Sequence, residues 1–276
     1  MQVLLIASAV ASLLHADGPV SLAPRQAVGD VFEEKESSWF TCTTADLDSE
    51  GLRPSFGADC ALAAPRATLS TRESHRTLQD EVLAVSDGRR TKVKRTFVEC
   101  TSTSVEGDAP SARATRAPFE GQSIVVMADG EGTRLVGEID GEDELSDGDR
   151  SLTSRWELVL PAAPVAIGTT WSLSEELTKR LLEGMNVTKG TVWCTLGEVD
   201  SSASGKPAKI QLDVRATVAA GAEETLELKA SGTVLWSTEA GHLLEASLTG
   251  ELQGTDADGN ARTGKLGVTH EVRKLE

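Results

Sequence analysis

The last third of the chain alternates between apolar and polar residues over long stretches. Between positions 210 and 218, apolar residues take the even positions and polar residues the odd ones. Similar alternation runs over 226–236, 244–252 and 266–272. Because successive side chains of a strand point to opposite faces of a sheet, this pattern predicts an antiparallel meander with one buried and one solvated face.

Shorter alternating segments predict strands elsewhere in the chain. Two pairs of them flank an Asp-Gly dipeptide, which favours the tight turn of a β-hairpin. Two further strands are predicted from the composition of their segments. The predicted strands are 81–85 with 91–101, 123–128 with 133–139, 155–160, and 190–199.

A single segment has the pattern of an amphipathic helix. Ser172 and Glu175 fit an S-x-x-E capping box, whose side chains satisfy free N–H groups of the first helical turn. Three leucines spaced by four residues then form an apolar stripe, which must lie on the sheet to be buried. The predicted helix covers 172–184. Its stripe is Leu173, Leu177 and Leu181.

These patterns predict a mainly β fold of the α+β class. We expect an antiparallel curved sheet or half-barrel, with the helix packed on it. The sheet is either one large unit or two related lobes. The second alternative comes from 28–32 and 167–171, which share an apolar residue, a glycine, two further residues and an aromatic residue. Chance similarity between two strand beginnings explains this likeness equally well.

An acidic stretch separates the two halves of the chain. Six carboxylates fall within ten residues from Asp140 to Asp149, which is typical of an exposed linker. We therefore place the linker at 140–150. It divides an N-terminal β lobe, 17–139, from a C-terminal β lobe, 151–276.

The N-terminal residues 1–16 have the features of a cleavable signal peptide. The apolar run at 3–14 has the length of a signal-peptide core and is short for a membrane span. Asp17-Gly18-Pro19 then breaks any helix. This predicts a secreted or periplasmic location, with no transmembrane segment. A buried N-terminal helix is the alternative.

The charge of the chain limits its partners. The net charge is -16 and the isoelectric point about 4.7. An acidic surface repels phosphate backbones, so nucleic acid is not an expected partner. Cationic partners, or high solubility alone, fit this charge. The expected partner is a hydrophobic ligand or a protein of the cell envelope, and no cofactor is expected.

The four cysteines are an even number, which fits an oxidising compartment. Cys42 with Cys60 would close the Gly- and Pro-containing loop between them. Cys100 with Cys194 would tie the two halves together. Free, buried thiols are the alternative.

Catalytic and metal-binding patterns are weak in this sequence. Asp256-Ala257-Asp258-Gly259-Asn260 resembles the start of a calcium loop. However, Gly267 stands where the bidentate glutamate should be, and Asp-Gly is common in hairpin turns. His270 shares its strand face with Leu266 and Val268, which favours a core-edge position over a ligand role. We therefore expect neither a metal site nor an enzyme.

The aromatic and leucine residues around the predicted helix suggest a ligand cavity. Tryptophan contributes a large apolar area, so packing in the core is the simpler interpretation. The functional hypothesis is that these side chains line a cavity between sheet and helix. The candidate lining residues are Trp171, Leu173, Leu177, Leu181, Trp193 and Trp236.

Leu160-Pro161, Gly168 and Trp171 form an LP-x(5,6)-G-x-x-W pattern before the closing meander. With the signal peptide, this resembles bacterial secreted β-rich proteins of unknown function. The curved sheet and its single helix also look distantly like the periplasmic lipoprotein-carrier half-barrels, which implies a lipid-binding cavity. The predicted function is therefore a non-catalytic binding or carrier module. The alternatives are an envelope-associated structural protein with a filled core and, third, a hydrolase whose site has no recognised motif.

Overall fold

The alternating segments form the strands of one antiparallel sheet. A computed structural model describes residues 18–44, 68–106, 113–129, 132–220, 225–255 and 261–276. Within these ranges the sheet has twelve strands. They are β1 (Val31–Thr44), β2 (Thr68–Ser86), β3 (Arg89–Glu106), β4 (Arg113–Arg116), β5 (Ser123–Ala128), β6 (Thr133–Val136), β7 (Thr170–Ser172), β8 (Val187–Val199), β9 (Pro207–Ala219), β10 (Thr225–Ser237), β11 (His242–Thr255) and β12 (Ala261–Leu275).

The two halves of the chain share this sheet. The strand order is β6-β5-β3-β2-β1-β12-β11-β10-β9-β8-β7, and β4 pairs with β3. The first long strand thus lies at the seam between the halves, where Glu36 is opposite Arg76 of β2 and His270 of β12. The sheet stays open, because the short strands β6 and β7 end the path. The mainly β prediction is confirmed, as one large curved sheet.

Most strand predictions agree with the structure. The meander forms β9 to β12, and the first predicted hairpin forms β2 and β3. Asp87 and Gly88 both have positive φ, of 51° and 73°, as a two-residue type I′ turn requires. The second predicted hairpin forms β5 and β6.

The prediction of a strand at 155–160 is wrong. Arg155–Val159 is a 3-10 helix, and the Ser154 hydroxyl accepts a hydrogen bond from the backbone N–H of Trp156 at 3.4 Å. Trp156 and Val159 are its buried residues. Their spacing of three residues matches the 3-10 period, which places both on the side that faces the sheet.

The α-helix, α1, is shorter than predicted and spans Glu175–Leu181. The N–H of Leu173 donates to the carbonyl of Val192 in β8, so the chain continues its strand pairing beyond Ser172. Ser174 is therefore the N-cap, and its hydroxyl accepts from the N–H of Leu177 at 3.3 Å. The helix packs on β8 as predicted.

Residues 137–186, called the covering segment below, pack on one face of the sheet, except that β7 pairs with β8 at the sheet edge. The segment includes a 3-10 helix at Glu142–Glu144, the one at Arg155–Val159, β7 and α1. Its acidic part is not a freely solvated linker, because Leu145 and Asp149 are buried. Arg95 of β3 donates to the carbonyl oxygens of Gly148 and Asp149, at 3.0 and 2.8 Å. These bonds hold the segment on the sheet.

Glycines on the buried face let the sheet coil tightly. A Cβ atom added to Gly250 of β11 would lie 2.5 Å from the Cβ of Ala230 in β10. One added to Gly232 would lie 2.1 Å from the carbonyl oxygen of Ser247. Any side chain would push these strands apart, so both positions need glycine for the curvature.

The two similar segments share one local turn. Gly29 and Gly168 both have positive φ, of 90° and 84°, and each donates its N–H to a carbonyl of an adjacent strand. Upstream of them, Val20 and Val165 form an antiparallel bridge with each other. Duplication and the two-lobe division stay predictions. The predicted signal peptide, 1–16, and the Asp256–Asn260 segment lie outside the described residues.

Candidate functional site

The face of the sheet that carries the covering segment, called the inner face, has two parts of different chemistry. Over β8 to β11 it is apolar, and its side chains form one large core with the covering segment. Trp236, Leu228 and Leu252 are among its fully buried members. A second, smaller apolar core surrounds Phe97 and Phe119.

Charged residues occupy the inner face where β1, β2, β3 and β12 meet. They alternate with apolar residues in the buried register of these strands, and the covering segment adds three more. Asp80 and Asp149 are both 0% exposed. The group, called the charge cluster below, consists of Glu34, Glu36, Arg76, Asp80, Arg90, Arg95, Asp149, Arg155, Glu157 and His270.

Asp80 is the centre of one half of the charge cluster. Its two oxygens accept from Nε and Nη2 of Arg95, at 2.8 and 2.6 Å, in a bidentate pair. Nη1 of Arg90 donates to the same carboxylate at 3.0 Å. Arg90 also faces Glu34 and Glu157, each at 3.4 Å. Arg76 pairs with Asp149 of the covering segment. Each buried charge therefore has an opposite charge beside it, as low-dielectric surroundings require.

His270 is the centre of the other half. Its Nδ1 lies 3.3 Å from a carboxylate oxygen of Glu36, and its Nε2 lies 3.4 Å from one of Glu34. Burial disfavours the imidazolium, but the two carboxylates outweigh burial and raise the pKa of His270 above its usual value. Burial also works against charge on Glu36, yet Arg155 and His270 hold its pKa at about 2.

An amphipathic cleft adjoins this half of the charge cluster. It has a volume of about 70 Å³ and lies between the covering segment and strands β1, β2, β11 and β12. Its lining is apolar in part and polar in part. The apolar lining residues are Trp39, Phe40, Trp156, Leu181, Leu182, Met185, Leu248, Leu266 and Val268, and the polar ones are Glu36, Ser38, Arg72, Ser74, Arg155 and Glu183.

Arg155 connects the cleft to the charge cluster. Its guanidinium lies 2.7 Å from a carboxylate oxygen of Glu36 and 5.4 Å above the ring of Trp156. It also lines a second, polar cavity of about 60 Å³ beneath residues 146–155. Glu36, Arg155 and Glu183 line both spaces, so the cleft and the polar cavity share one wall.

The structure does not bring the six predicted cavity residues to one cavity. Leu181 lines the cleft, whereas Leu173 and Trp236 are buried in the large core. Leu177 and Trp171 pack against that core from its edge. The indole N–H of Trp171 donates to the carbonyl of Val159 at 2.9 Å.

Trp193 is the clearest departure from the cavity hypothesis. It lies on the outer face of β8, 38% exposed, because its neighbours Val192 and Cys194 take the inner register. The guanidinium of Arg215 lies 5.7 Å from the centre of its ring. Since alternate residues of β8 point to opposite faces of the sheet, Trp193 lies on the face away from α1.

The predicted Cys100–Cys194 disulfide is not formed. Both thiols are free and buried, and they belong to the two different apolar cores. Burial raises the pKa of Cys100 to about 11 and that of Cys194 to about 12, so both stay protonated at neutral pH. The predicted Cys42–Cys60 pair involves Cys60, which lies outside the described residues.

The sequence interpretation missed the charge cluster, although a signal was present. Glu34 and Glu36 share parity with Phe32 and Phe40, and Asp80 stands between Leu78 and Val82. Charged residues in the apolar register of a strand indicate buried ion pairs. The placement of His270 on the apolar face agrees with the structure, where it is 6% exposed. Its two carboxylate partners were not identified.

In the described part of the chain, no three His, Cys, Asp or Glu side chains are grouped so as to hold a metal ion. None of the helices in these ranges has both the length and the apolar character to cross a bilayer.

Solved structures include a distant likeness to this fold. No protein-family model matches the chain, and no curated protein sequence matches it significantly. A solved structure described as lipid–protein interactions in lipovitellin aligns with 93% of this chain at 6% identity and a TM-score of 0.47. The chain spans about a quarter of that protein's length, since the alignment covers 26% of it.

Proposed function

We propose that this protein is a non-catalytic binding or carrier module for an amphipathic ligand, and that the cleft is its binding site. The observation that supports this proposal is the mixed lining of the cleft. Leu248, Leu266 and Val268 offer an apolar surface to a hydrocarbon or ring system, and Arg155 and Ser74 add polar groups. Ligand sites in proteins typically combine an apolar lining with a few oriented polar groups.

The charge cluster is compatible with a binding role rather than a catalytic one. Each of its carboxylates already faces an arginine or His270, so none is a solvated base at a substrate-sized opening. A hydrolase would be indicated by turnover of ester or glycoside substrates that a Glu36→Gln variant abolishes.

A structural role with a filled core is the second candidate. It is favoured by the dense packing of the large core, where Trp236 and Leu252 are completely buried. This candidate predicts that the purified protein binds no amphiphile.

Secretion or a periplasmic location also remains a proposal, which rests on residues 1–16.

The test is displacement of a neutral fluorescent probe, N-phenyl-1-naphthylamine, by a long-chain fatty acid. We expect saturable binding of the probe and competitive displacement by the fatty acid. Val268→Phe should weaken probe binding at least about tenfold, because filling the cleft removes roughly 1.4 kcal/mol or more of binding free energy.

Val272→Phe is the matched control. Val272 has the same side chain, lies on the same face of β12 and packs against the same core, but it does not line the cleft. We expect its probe affinity to stay within about twofold of wild type. Absence of saturable binding to the wild-type protein would refute the binding function. Equal losses in both variants would place the site elsewhere.

A further inference from the structure

We propose that His270 is a proton-controlled clamp that closes the seam between β1 and β12 and so regulates ligand binding in the cleft. This inference rests on the proposed function, because it concerns the same cleft. It begins with the position of His270 opposite Glu36 on the inner face of the seam.

A carboxylate lies beside each ring nitrogen of the imidazole. Nδ1 is within hydrogen-bond geometry of Glu36 at 3.3 Å, and Nε2 faces Glu34 at 3.4 Å as an ion pair. A neutral imidazole has a single N–H, so it turns a lone pair toward one of the two carboxylates. The imidazolium has an N–H on each nitrogen and a positive charge that both carboxylates face. Protonated His270 therefore attracts both carboxylates of β1, whereas neutral His270 repels one of them.

The clamp is connected to the cleft through Glu36 and Arg155. The carboxylate oxygen of Glu36 that faces His270 is also 2.7 Å from the guanidinium of Arg155. Glu36 and Arg155 both line the cleft, and β1 and β12 contribute Phe40 and Val268 to its lining. A change in the seam thus moves lining groups on the sheet and on the covering segment together.

The other charges near His270 are held by partners of their own. Arg90 and Arg95 of β3 share Asp80, and Arg76 of β2 pairs with Asp149. On β11, the residue opposite His270 is the apolar Ala246. The charged groups that face the seam are Glu34 and Glu36 of β1, Arg76 of β2, Arg90 and Arg95 of β3, and Asp149, Arg155, Glu157 and Glu183 of the covering segment.

The direction of the pH effect follows from the charge of His270. The two carboxylates raise the pKa of His270 in the folded protein above the usual 6.5. The seam is therefore closed below that pKa and loosens as the pH rises through it, when the imidazolium loses its proton. Since the closed seam shapes the cleft, ligand affinity should fall as the pH rises above the pKa of His270.

The experiment measures the affinity for N-phenyl-1-naphthylamine from about pH 5.5 to about pH 9, a range in which this neutral probe does not titrate. In wild type we expect the affinity to fall about threefold to tenfold, since a displacement of one pKa unit corresponds to a tenfold change. His270→Gln should make the profile flat. His75→Gln is the control and should keep the wild-type profile, because His75 is exposed on the outer face beside Ser37.

Glu36→Gln provides a second variant if His270→Gln fails to fold. With an amide in place of the Glu36 carboxylate, a neutral imidazole can donate to Glu34 and accept from that amide, so the profile should become flatter than in wild type. Probe binding that does not change with pH in wild type overturns the clamp but leaves the binding function intact. Failure of wild type to bind the probe at any pH overturns the binding function itself. A wild-type profile in His270→Gln, or in Glu36→Gln where only that variant folds, would also overturn the clamp.

Discussion

The inner face of the sheet is built in two ways, and both come from the same alternating pattern. Over β8 to β11 every second residue is apolar, and burial of area stabilises the packing without regard to the identity of each partner. Over β1 to β3 several of the same positions carry charge. There, stability depends on whether each charge has its partner, because an unpaired buried ion costs several kcal/mol.

This difference indicates which part of the molecule can respond to a change of pH. The described members of the large core are apolar side chains, and burial raises the pKa of its thiol, Cys194, to about 12, so this part acts as a constant scaffold. The charged part contains His270, whose pKa lies above its usual value, and it adjoins the cleft. The region least favourable to hydrophobic packing is thus the one beside the candidate binding site.

Removal of a central charge from the charge cluster should lower the stability of the protein most strongly. Asp80→Asn leaves Arg90 and Arg95 buried without their shared carboxylate. We expect the free energy of unfolding to fall by about 3–5 kcal/mol, measured by urea denaturation at neutral pH. Replacing Asp80 by Leu together with Arg95 by Met should recover part of this loss, because an apolar pair leaves fewer unpaired charges.

Glu251→Gln is the control for the Asp80 variant. Glu251 is exposed on the outer face of β11 and faces Lys265 at 3.9 Å. An exposed ion pair contributes less than about 1 kcal/mol, so the stability should hardly change. Similar losses in the two variants would show that burial does not distinguish the two faces as proposed.

Truncation in the apolar part should have a smaller effect that does not depend on pH. Leu252 is completely buried, opposite Leu228 of β10 and Gly264 of β12. Leu252→Ala should lower the free energy of unfolding by about 2–4 kcal/mol through lost contacts and a residual cavity. The loss should be the same at acidic and alkaline pH, which urea denaturation at several pH values checks.

Val98→Ala is the control for that truncation. Val98 of β3 is 50% exposed, so the same chemistry of methyl removal should cost less than about 0.5 kcal/mol. A strong pH dependence of the Leu252→Ala loss would mean that the apolar and charged parts are coupled, contrary to the division described above.

The smallest expected effect concerns the acid side of the stability profile. Arg155 and His270 outweigh burial and hold the pKa of Glu36 at about 2, below its ordinary value of 4.5. This group's stabilisation is therefore complete above pH 4.5 and is lost as the pH falls toward 2, where the unfolded chain has already bound the proton. The full loss is roughly 3 kcal/mol and is reached only near pH 2, so less is lost over most of the acid range, and Glu36→Gln should remove it from the acid unfolding profile.

Glu33→Gln separates the two faces of β1 in the same measurement. Glu33 lies two positions before Lys35 in β1. Its carboxylate pairs with Lys35 and with Arg273 on the outer face. We expect its acid profile to follow that of wild type closely. If Glu33→Gln and Glu36→Gln flatten the profile equally, the effect belongs to net charge and not to the charge cluster.

Much of the fold could be predicted from the sequence, because strands and tight turns depend on neighbouring residues. Asp87-Gly88 predicts its hairpin from turn chemistry alone. The strand predicted at 155–160 failed because Trp156 and Val159 suit a 3-10 turn equally well. Less of the site could be predicted. Leu181 alone, of six candidates, lines the cleft. The parity of β8 turns Trp193 to the outer face, and Leu173 and Trp236 are buried in the large core.

Local alternation by itself determined that the described part of this chain forms antiparallel ribbons with one dry face, and the capping box and leucine stripe at 172–184 indicated an α-helix. It also determined which charged residues point to the buried face, because successive residues of a strand point to opposite faces of the sheet. Only the tertiary structure decided that these charges are neutralised. His270 meets Glu36 across a separation of 234 residues, and that meeting depends on β1 lying between β2 and β12. The order of strands in a sheet is a long-range choice, which no stretch of sequence encodes on its own.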